Sequence, residues 1–481
     1  MKVILIASLI LASLAFAQQT VDNEARVING NLTVNGAIYS PTIGNILYVD
    51  DTTITSIASA FALCSSQQPC IIHAEGADQA AAKNFGVFDP GSTNVTLYLG
   101  PQNYVGEIIL RNNLTVIGQY KSTQITQINA STPVIALPTS GAYPGIVAAG
   151  VRIENLTLNP AASSTADAIS LVAAPNGSCS PQPACQATNP GGGMWYGTFD
   201  HIYINPGFGR NGIRIDGTQA GNPTSVVQFA SFRDVYAFRK TNGLPALAIT
   251  GTFTGQITFD DCQFDGQFGG QDTTAGLSNI SIDDTPGQGA ATWIPYTLTF
   301  TNLTSQFANG NGGAAVRIKG VSSVTFVTPH FELDLGIISA VIGPGGHGSW
   351  SITVVSPYMS QSSQASLFSG VTAGTGFIYN TDGHSAITQI DGGFVGTPDN
   401  FVTGAAGGEI SWLGNFQNLG NGLLQPVPGI TVSALPPATA AIGKTRTVTD
   451  STAIAAEGQV CTGGSSNVAM AWSNGTVWKC F

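Results

Sequence analysis

The stretch Val151-Arg152-Ile153-Glu154-Asn155-Leu156-Thr157-Leu158 alternates apolar and polar residues, breaks at a polar pair, and then alternates again. Alternation directs every second side chain to one face of a strand. The polar pair Glu154-Asn155 therefore reads as a corner between two short strands. The pattern returns at Phe199-Asp200-His201-Ile202-Tyr203-Ile204, Phe232-Arg233-Asp234-Val235-Tyr236-Ala237 and Ile257-Thr258-Phe259-Asp260-Asp261-Cys262-Gln263-Phe264. It returns again from Leu298 to Leu303, Val324 to Phe331 and Ile352 to Met359, with a weaker copy from Ile390 to Val395. The aligned residues Ile153, Phe199, Phe232, Phe259, Phe300, Phe326 and Val354 stand between 26 (Phe300 to Phe326) and 46 (Ile153 to Phe199) positions apart. That is the period of a solenoid, whose units bury a core only by stacking.

A second series lies between these copies: Ile213-Arg214-Ile215-Asp216, Leu247-Ala248-Ile249-Thr250, Ile280-Ser281-Ile282-Asp283 and Val316-Arg317-Ile318-Lys319, with Phe377-Ile378-Tyr379-Asn380 as a later member. The first four start 34, 33 and 36 residues apart, so each rung contributes one. Three strands per rung predict an all-β chain folded as a three-sheet parallel β-helix, right-handed because parallel crossovers favour that hand. A β-sandwich would place two-residue hairpin turns every 8–12 residues. Asn211-Gly212 and Asp382-Gly383 do not recur at that rhythm.

Composition agrees. Charged residues make up 9% of the chain and glycines number 59, against a usual charged share of about 25%. Asn, Thr, Ser and Gln must wet such a surface. A net charge of −11 excludes the basic footprint that a nucleic-acid partner requires. Residues 1–17 read as a secretory signal, with Lys2 before the apolar stretch Val3 to Leu14 and a small-x-small site at Ala15-Phe16-Ala17. No later segment is apolar for long enough to span a bilayer. The expected location is secreted, extracellular or at a cell surface. Paired cysteines fit that compartment: Cys64 with Cys70, Cys179 with Cys185, and Cys461 with Cys480 as local loop closures. Cys262 is left over and reads as a small buried hydrophobe. No Cys/His set has zinc-ligand spacing.

The expected organisation is a signal at 1–17, a strand and cap region at 18–93, the β-helix at 94–425, a Pro/Ala-rich linker at 426–440 and a small disulfide-closed β module at 441–481. Solenoids need such caps over their open ends.

Residues 94–126, from Asn94-Val95-Thr96-Leu97 through Pro101-Gln102-Asn103-Tyr104 and Leu114-Thr115-Val116-Ile117-Gly118 to Thr126, resemble the opening rungs of the pectate-lyase-like β-helix superfamily. The tail that ends in Trp472-Ser473-Asn474-Gly475-Thr476-Val477-Trp478 resembles the small modules that finish phage tail fibres. The superfamily resemblance implies the fold. It leaves activity open among lyases, hydrolases, esterases, tailspikes and non-enzymes, and implies calcium if the chain is a lyase. Asp260, Asp261 and Asp265 are the carboxylates near enough in sequence to gather that ion. Polygalacturonases carry Asn-Thr-Asp, Asp-Asp, Gly-His-Gly and Arg-Ile-Lys in that order. Here Asp260-Asp261 comes first, then Arg317-Ile318-Lys319, Gly346-His347-Gly348 and Asn380-Thr381-Asp382. Order decides which rung each group occupies, so that site is not inherited.

Chemistry is better sought in outward columns. In the second series, Arg214, Ala248, Ser281 and Arg317 form one column, and Asp216, Thr250, Asp283 and Lys319 the next. Asp216 and Asp283, two rungs apart, would stand about 10 Å from each other, near the carboxylate spacing of inverting glycoside hydrolases. Arg317 and Lys319 would hold a uronate, with Arg214 as a further substrate contact. Trp472 and Trp478 offer either cross-strand packing or sugar stacking. His201, His330 and His347 fall in different rungs and read as turn or surface residues. Two functions remain: a glycan-binding surface or spike protein, with a homotrimer as its possible assembly, and a polysaccharide lyase or glycoside hydrolase acting on a pectin-like or other acidic polymer.

Overall fold

The computed structural model describes residues 37–40, 44–49, 54–64, 69–75, 83–138, 146–173, 192–217, 226–240, 243–251, 254–266, 277–283, 295–308, 314–334, 338–340, 349, 351–361, 378–380, 386–395, 402–404, 409–418, 431–440, 445–452 and 459–480. Short strands join in parallel ladders to form a right-handed parallel β-helix. The first sheet runs through Gly44–Tyr48, Cys70–Ala74, Val95–Leu99 and Thr115–Ile117. It continues through Arg152–Asn159, Thr198–Ile204, Ser231–Phe238, Thr254–Asp260, Tyr296–Thr301, Ser323–Val327 and Ser351–Val355. Arg152–Asn159, Thr198–Ile204 and Ser231–Phe238 pass the corner unbroken and also serve the second sheet. That sheet goes on through Gln263–Asp265, Thr304–Gln306, His330–Asp334 and Tyr358–Gln361. The third carries Ile169–Val172, Ile213–Asp216, Leu247–Thr250, Ser278–Asp283, Ala314–Lys319 and Ile338–Ala340.

Two features go beyond the sequence reading. A short fourth ladder, Ile146–Ala149, Gly193–Trp195, Val227–Gln228 and the start of Thr254–Asp260, precedes the first sheet in the middle rungs. Parallel pairing also begins by Gly44–Tyr48, inside the stretch assigned above to the cap. The helix Ile57–Ala62 lies in that stretch, capped by Ser56 and Ser59 and burying Ile57 and Ala60 in the solenoid's own core.

The core explains the repeat. Register places Ile153, Phe199, Phe232, Phe259, Phe300 and Phe326 in one inward column. The five phenyl rings stack face to face at 4.8, 4.9, 4.6 and 4.9 Å between centroids, close to the rung rise of about 4.8 Å. Inward columns of the third sheet, such as Ile215, Ile249, Ile282 and Ile318, repeat the device with branched chains.

The corner pairs have a backbone reason. The second residue of each pair is left-handed: Asn155 at φ 59°, His201 at 52°, Asp234 at 51°, Asp261 at 52° and Asn302 at 51°. Asn, Asp and His tolerate this region because their short polar side chains hydrogen-bond locally. Thr328, at φ 49°, is a β-branched exception. In the Pro101-to-Tyr104 turn, the buried Tyr104 hydroxyl donates to the Ala74 carbonyl and accepts from the Gly100 amide. Gly118 is required because a Cβ there would stand 2.5 Å from the Asn155 carbonyl oxygen.

Among the described residues two disulfides are formed, Cys64–Cys70 and Cys461–Cys480. The Cys179–Cys185 pairing, the leader and His347 lie outside the described residues. Cys262 is free and buried, and burial pushes its thiol up to about 12. Among the described residues no helix is long and apolar enough to cross a membrane.

The stack and the corner give opposite predictions. Phe259→Ala opens a cavity between two rings and should cost about 3–5 kcal/mol. Thr328→Asn keeps a polar corner while relieving β-branched strain and should gain on the order of 1 kcal/mol. Denaturant melts of both variants check this.

Candidate functional site

The third-sheet column has the spacing expected for it, since Asp216 pairs with Thr250, Thr250 with Asp283, and Asp283 with Lys319. Its charges, however, are satisfied internally. Lys319 Nζ lies 2.7 Å from Asp283 Oδ2, and an Arg214 nitrogen lies 3.1 Å from Asp216 Oδ2. Asp216 is buried, and Asp283 keeps an enclosed Oδ1. Arg317 is half-buried between Ser281 and Ser339. A uronate would have to compete with these carboxylates for Lys319 and Arg214.

Asp260, Asp261 and Asp265 diverge, while Gly346-His347-Gly348 and Thr381-Asp382 lie outside the described residues. Asp260 sits on the first sheet opposite Arg233, while the exposed Asp261 corner accepts from Asn302 Nδ2 at 3.0 Å. Asp265 belongs to the second sheet, so the three carboxylates proposed for calcium do not converge. No metal-holding group of three or more His, Cys, Asp or Glu side chains occurs among the described residues. His201 lies between Asp200, at 2.7 Å, and Asp234, at 3.2 Å. The Arg233 guanidinium, with the His201 ring, holds the Asp200 carboxyl below the usual range.

The tryptophans part company. Trp472 pairs with Lys479 and Trp478 with Ser473, so the two indoles occupy opposite faces of the C-terminal antiparallel sheet. Trp478 is buried, with its Nε1–H donated to the Pro436 carbonyl at 2.7 Å. That indole has no free face for a sugar, which corrects its assignment to substrate. Trp472 stays 40% exposed.

The second sheet shows something different. One outward column reads Tyr203, Tyr236, Gln263, Thr304, His330 and Tyr358, all half-buried. Tyr203 lies 6.1 Å from Tyr236 and 5.7 Å from Phe238 between ring centroids, and His330 stacks on Tyr358 at 4.5 Å. Lys121 Nζ sits 5.1 Å from the Tyr203 ring. The neighbouring column reads Phe238, Asp265, Gln306 and Glu332. The Gln306 backbone N–H donates to Asp265 Oδ1 at 2.9 Å, and its side-chain amide donates to Glu332 Oε2 at 2.9 Å. His330 Nε2 lies 3.1 Å from the same Glu332 oxygen, and Gln263 donates to Asp265 Oδ2.

Behind this face lie buried polar groups. Arg239 is buried, with its Nε donating to Asn279 Oδ1, and Asn279 donates to Ser305 Oγ and the Gln306 carbonyl. Asp334 is enclosed, accepting from the Ala308 amide at 2.7 Å. Burial raises both acids, Asp265 to about 7 and Asp334 well above the carboxylate range, and the Asp265 charge pushes Asp334 further.

No protein-family model matches the chain, and no curated protein matches it. Three solved phage structures are similar in course. One is ORF18 of Geobacillus virus E2, at 11% identity and a TM-score of 0.34, covering 82% of this chain and 69% of that one. Another is the enzymatically active domain of bacteriophage CBA120 tailspike protein 2, at 10% and 0.35, covering 86% and 64%. The third is tailspike gp49 of the Acinetobacter baumannii bacteriophage Fri1, a capsular polysaccharide depolymerase, at 13% and 0.33, covering 80% and 72%. At these values no residue role passes from them to this chain.

Glu332 and the tyrosine column escaped the sequence reading. The signal was present in the second half of each copy, where Gln263-Phe264-Asp265, Thr304-Ser305-Gln306 and His330-Phe331-Glu332 flank one inward residue with two outward ones.

The raised acids set the pH dependence of stability. Asp265 keeps its proton to a higher pH folded than unfolded. Its contribution is therefore favourable near the ordinary value of 3.8 and is lost as pH rises to about 7 and beyond. Asp265→Asn should melt alongside the wild type at pH 4 and higher by on the order of 5 °C at pH 9. Calorimetry at both pH values checks it.

Proposed function

We propose that the solenoid binds a polysaccharide along the outer face of its second sheet, outside the cell. The observation that carries this reading is the outward run of Tyr203, Tyr236, Phe238, His330 and Tyr358, interleaved with Gln263, Thr304 and Gln306. Aromatic faces take the C–H faces of sugar rings, and their polar edges stay wet. Amides and hydroxyls between them meet sugar hydroxyls, and a rigid ladder presents them with little entropy loss on binding. Lys319 and Arg214 are held by Asp283 and Asp216. That favours a neutral glycan over the acidic one expected above. The two disulfides support an oxidising, extracellular compartment. Asp216, Asp283, Arg214, Arg317 and Lys319 are assigned to a polar face on which Arg214 pairs with Asp216 and Lys319 with Asp283. A homotrimer is the proposed assembly, to be read by light scattering.

Affinity electrophoresis against xylan, β-glucan, galactomannan and polygalacturonate tests the reading. The wild type should be retarded by a neutral polymer. Tyr203→Ala and Tyr236→Ala should each lose about tenfold in affinity, roughly 1.4 kcal/mol, and Lys319→Ala should change little. Retardation by polygalacturonate alone, abolished in Lys319→Ala, would move the site to the third sheet.

A further inference from the structure

We infer that Asp265 and Glu332 are the general acid and general base of a glycoside-hydrolysing centre on the second-sheet face, an inference that rests on the glycan reading above. The two carboxyls share one outward column with a single residue, Gln306, between them. Two rungs separate their backbones by about 9.6 Å. Both lean on the middle rung, Asp265 onto the Gln306 backbone amide and Glu332 onto its side chain. Their carboxyl oxygens therefore approach the roughly 6.5–9.5 Å that lets a water stand beside a sugar carbon between acid and base.

Their surroundings differ as acid and base require. Asp265 is 2% exposed, lies beside Phe238 and backs onto Asp334, whose Oδ2 is buried without a hydrogen-bond partner. Burial holds its proton to about pH 7, the device by which an apolar pocket keeps a carboxylic acid neutral. Glu332 is half-exposed, accepts from the Gln306 side-chain amide and has the His330 ring alongside. Gln263 suits either state of Asp265. Its amide nitrogen donates to a carboxylate, and its carbonyl accepts from the acid when the amide turns over. An incoming glycosidic oxygen takes that amide's place. Tyr236 and Phe238 on one side, and the His330–Tyr358 stack on the other, give sugar platforms flanking the bond to be cut.

The step balances. Asp265 gives its proton to the glycosidic oxygen as the bond from that oxygen to the anomeric carbon breaks. Glu332 takes a proton from water as the water oxygen bonds to that carbon from the opposite face. The products are a freed hydroxyl and a hemiacetal of inverted configuration. Solvent then returns the proton from Glu332 to Asp265.

The test uses the full chain and whichever of xylan, β-glucan or galactomannan retards it. New reducing ends, the anomer formed and binding are measured for wild type, Asp265→Asn and Glu332→Gln, with melting curves as fold controls. The expected result is turnover with inversion, about 10²–10⁴-fold lower in each variant while binding persists. The rate should fall as pH rises past about 7. Glu332→Gln, on the half-exposed side, keeps the test decisive should Asp265→Asn fold poorly. Binding without new reducing ends in the wild type overturns this inference and leaves glycan binding standing. Turnover that survives both substitutions, or that retains configuration, overturns it as well. Failure of every polymer to bind removes the glycan reading itself.

Discussion

The outward side chains of the described solenoid strands inherit their positions from one spacing, the rise of about 4.8 Å between hydrogen-bonded parallel strands. The phenylalanine column meets that rise from within, with ring centroids 4.6 to 4.9 Å apart from Phe199 to Phe326. Backbone ladder and ring stack thus prefer the same period. A slip of one residue would send the rings to solvent and the threonines and tyrosines to the core. Register is consequently rigid, and residues far apart in sequence are held at fixed multiples of one distance. Asp265 and Glu332 are such a pair.

That rigidity also separates a polar face from a reactive one. On the third sheet, opposite charges are close enough to neutralise each other, Lys319 with Asp283 and Arg214 with Asp216. The Lys319–Asp283 pair ties two neighbouring rungs, the Arg214–Asp216 pair lies within one strand, and each contributes modestly when partly exposed. On the second sheet two acids, Asp265 and Asp334, are buried near each other. Burial raises both of them, although Arg239 acts against the rise at Asp334 and the Gln263 and Gln306 hydrogen bonds act against it at Asp265. Perturbed carboxyls of this sort concentrate where chemistry is done.

The fold was legible because its determinants are local and repeated. Ile153, Phe199 and Phe232 alternate with polar neighbours, and Asn155, Asp234 and Asn302 mark left-handed corners by residue type alone. The third-sheet columns were also legible, because one four-residue string repeats at nearly constant intervals. The second-sheet face was harder to read, since its residues differ from rung to rung. Tyr236, Gln263, Thr304 and His330 share a column only once the corners have been counted. Burial was beyond reach as well. The sequence places Asp265 beside Asp260 and Asp261 as one acidic cluster, whereas the corner at Asp261 sends Asp265 to another sheet and into an enclosed environment. The opposite faces of Trp472 and Trp478 likewise depend on a hairpin register that the turn residues alone do not declare.

The central claim is that the second-sheet face is where this protein meets its ligand. Hydroxyl-radical footprinting with and without a bound neutral polysaccharide tests it most directly. The account predicts that Tyr203, Tyr236, His330 and Tyr358 lose reactivity together when the polymer binds, while Arg214, Arg317 and Lys319 do not change. Protection of the third-sheet residues, with the tyrosines left as reactive as before, would contradict it.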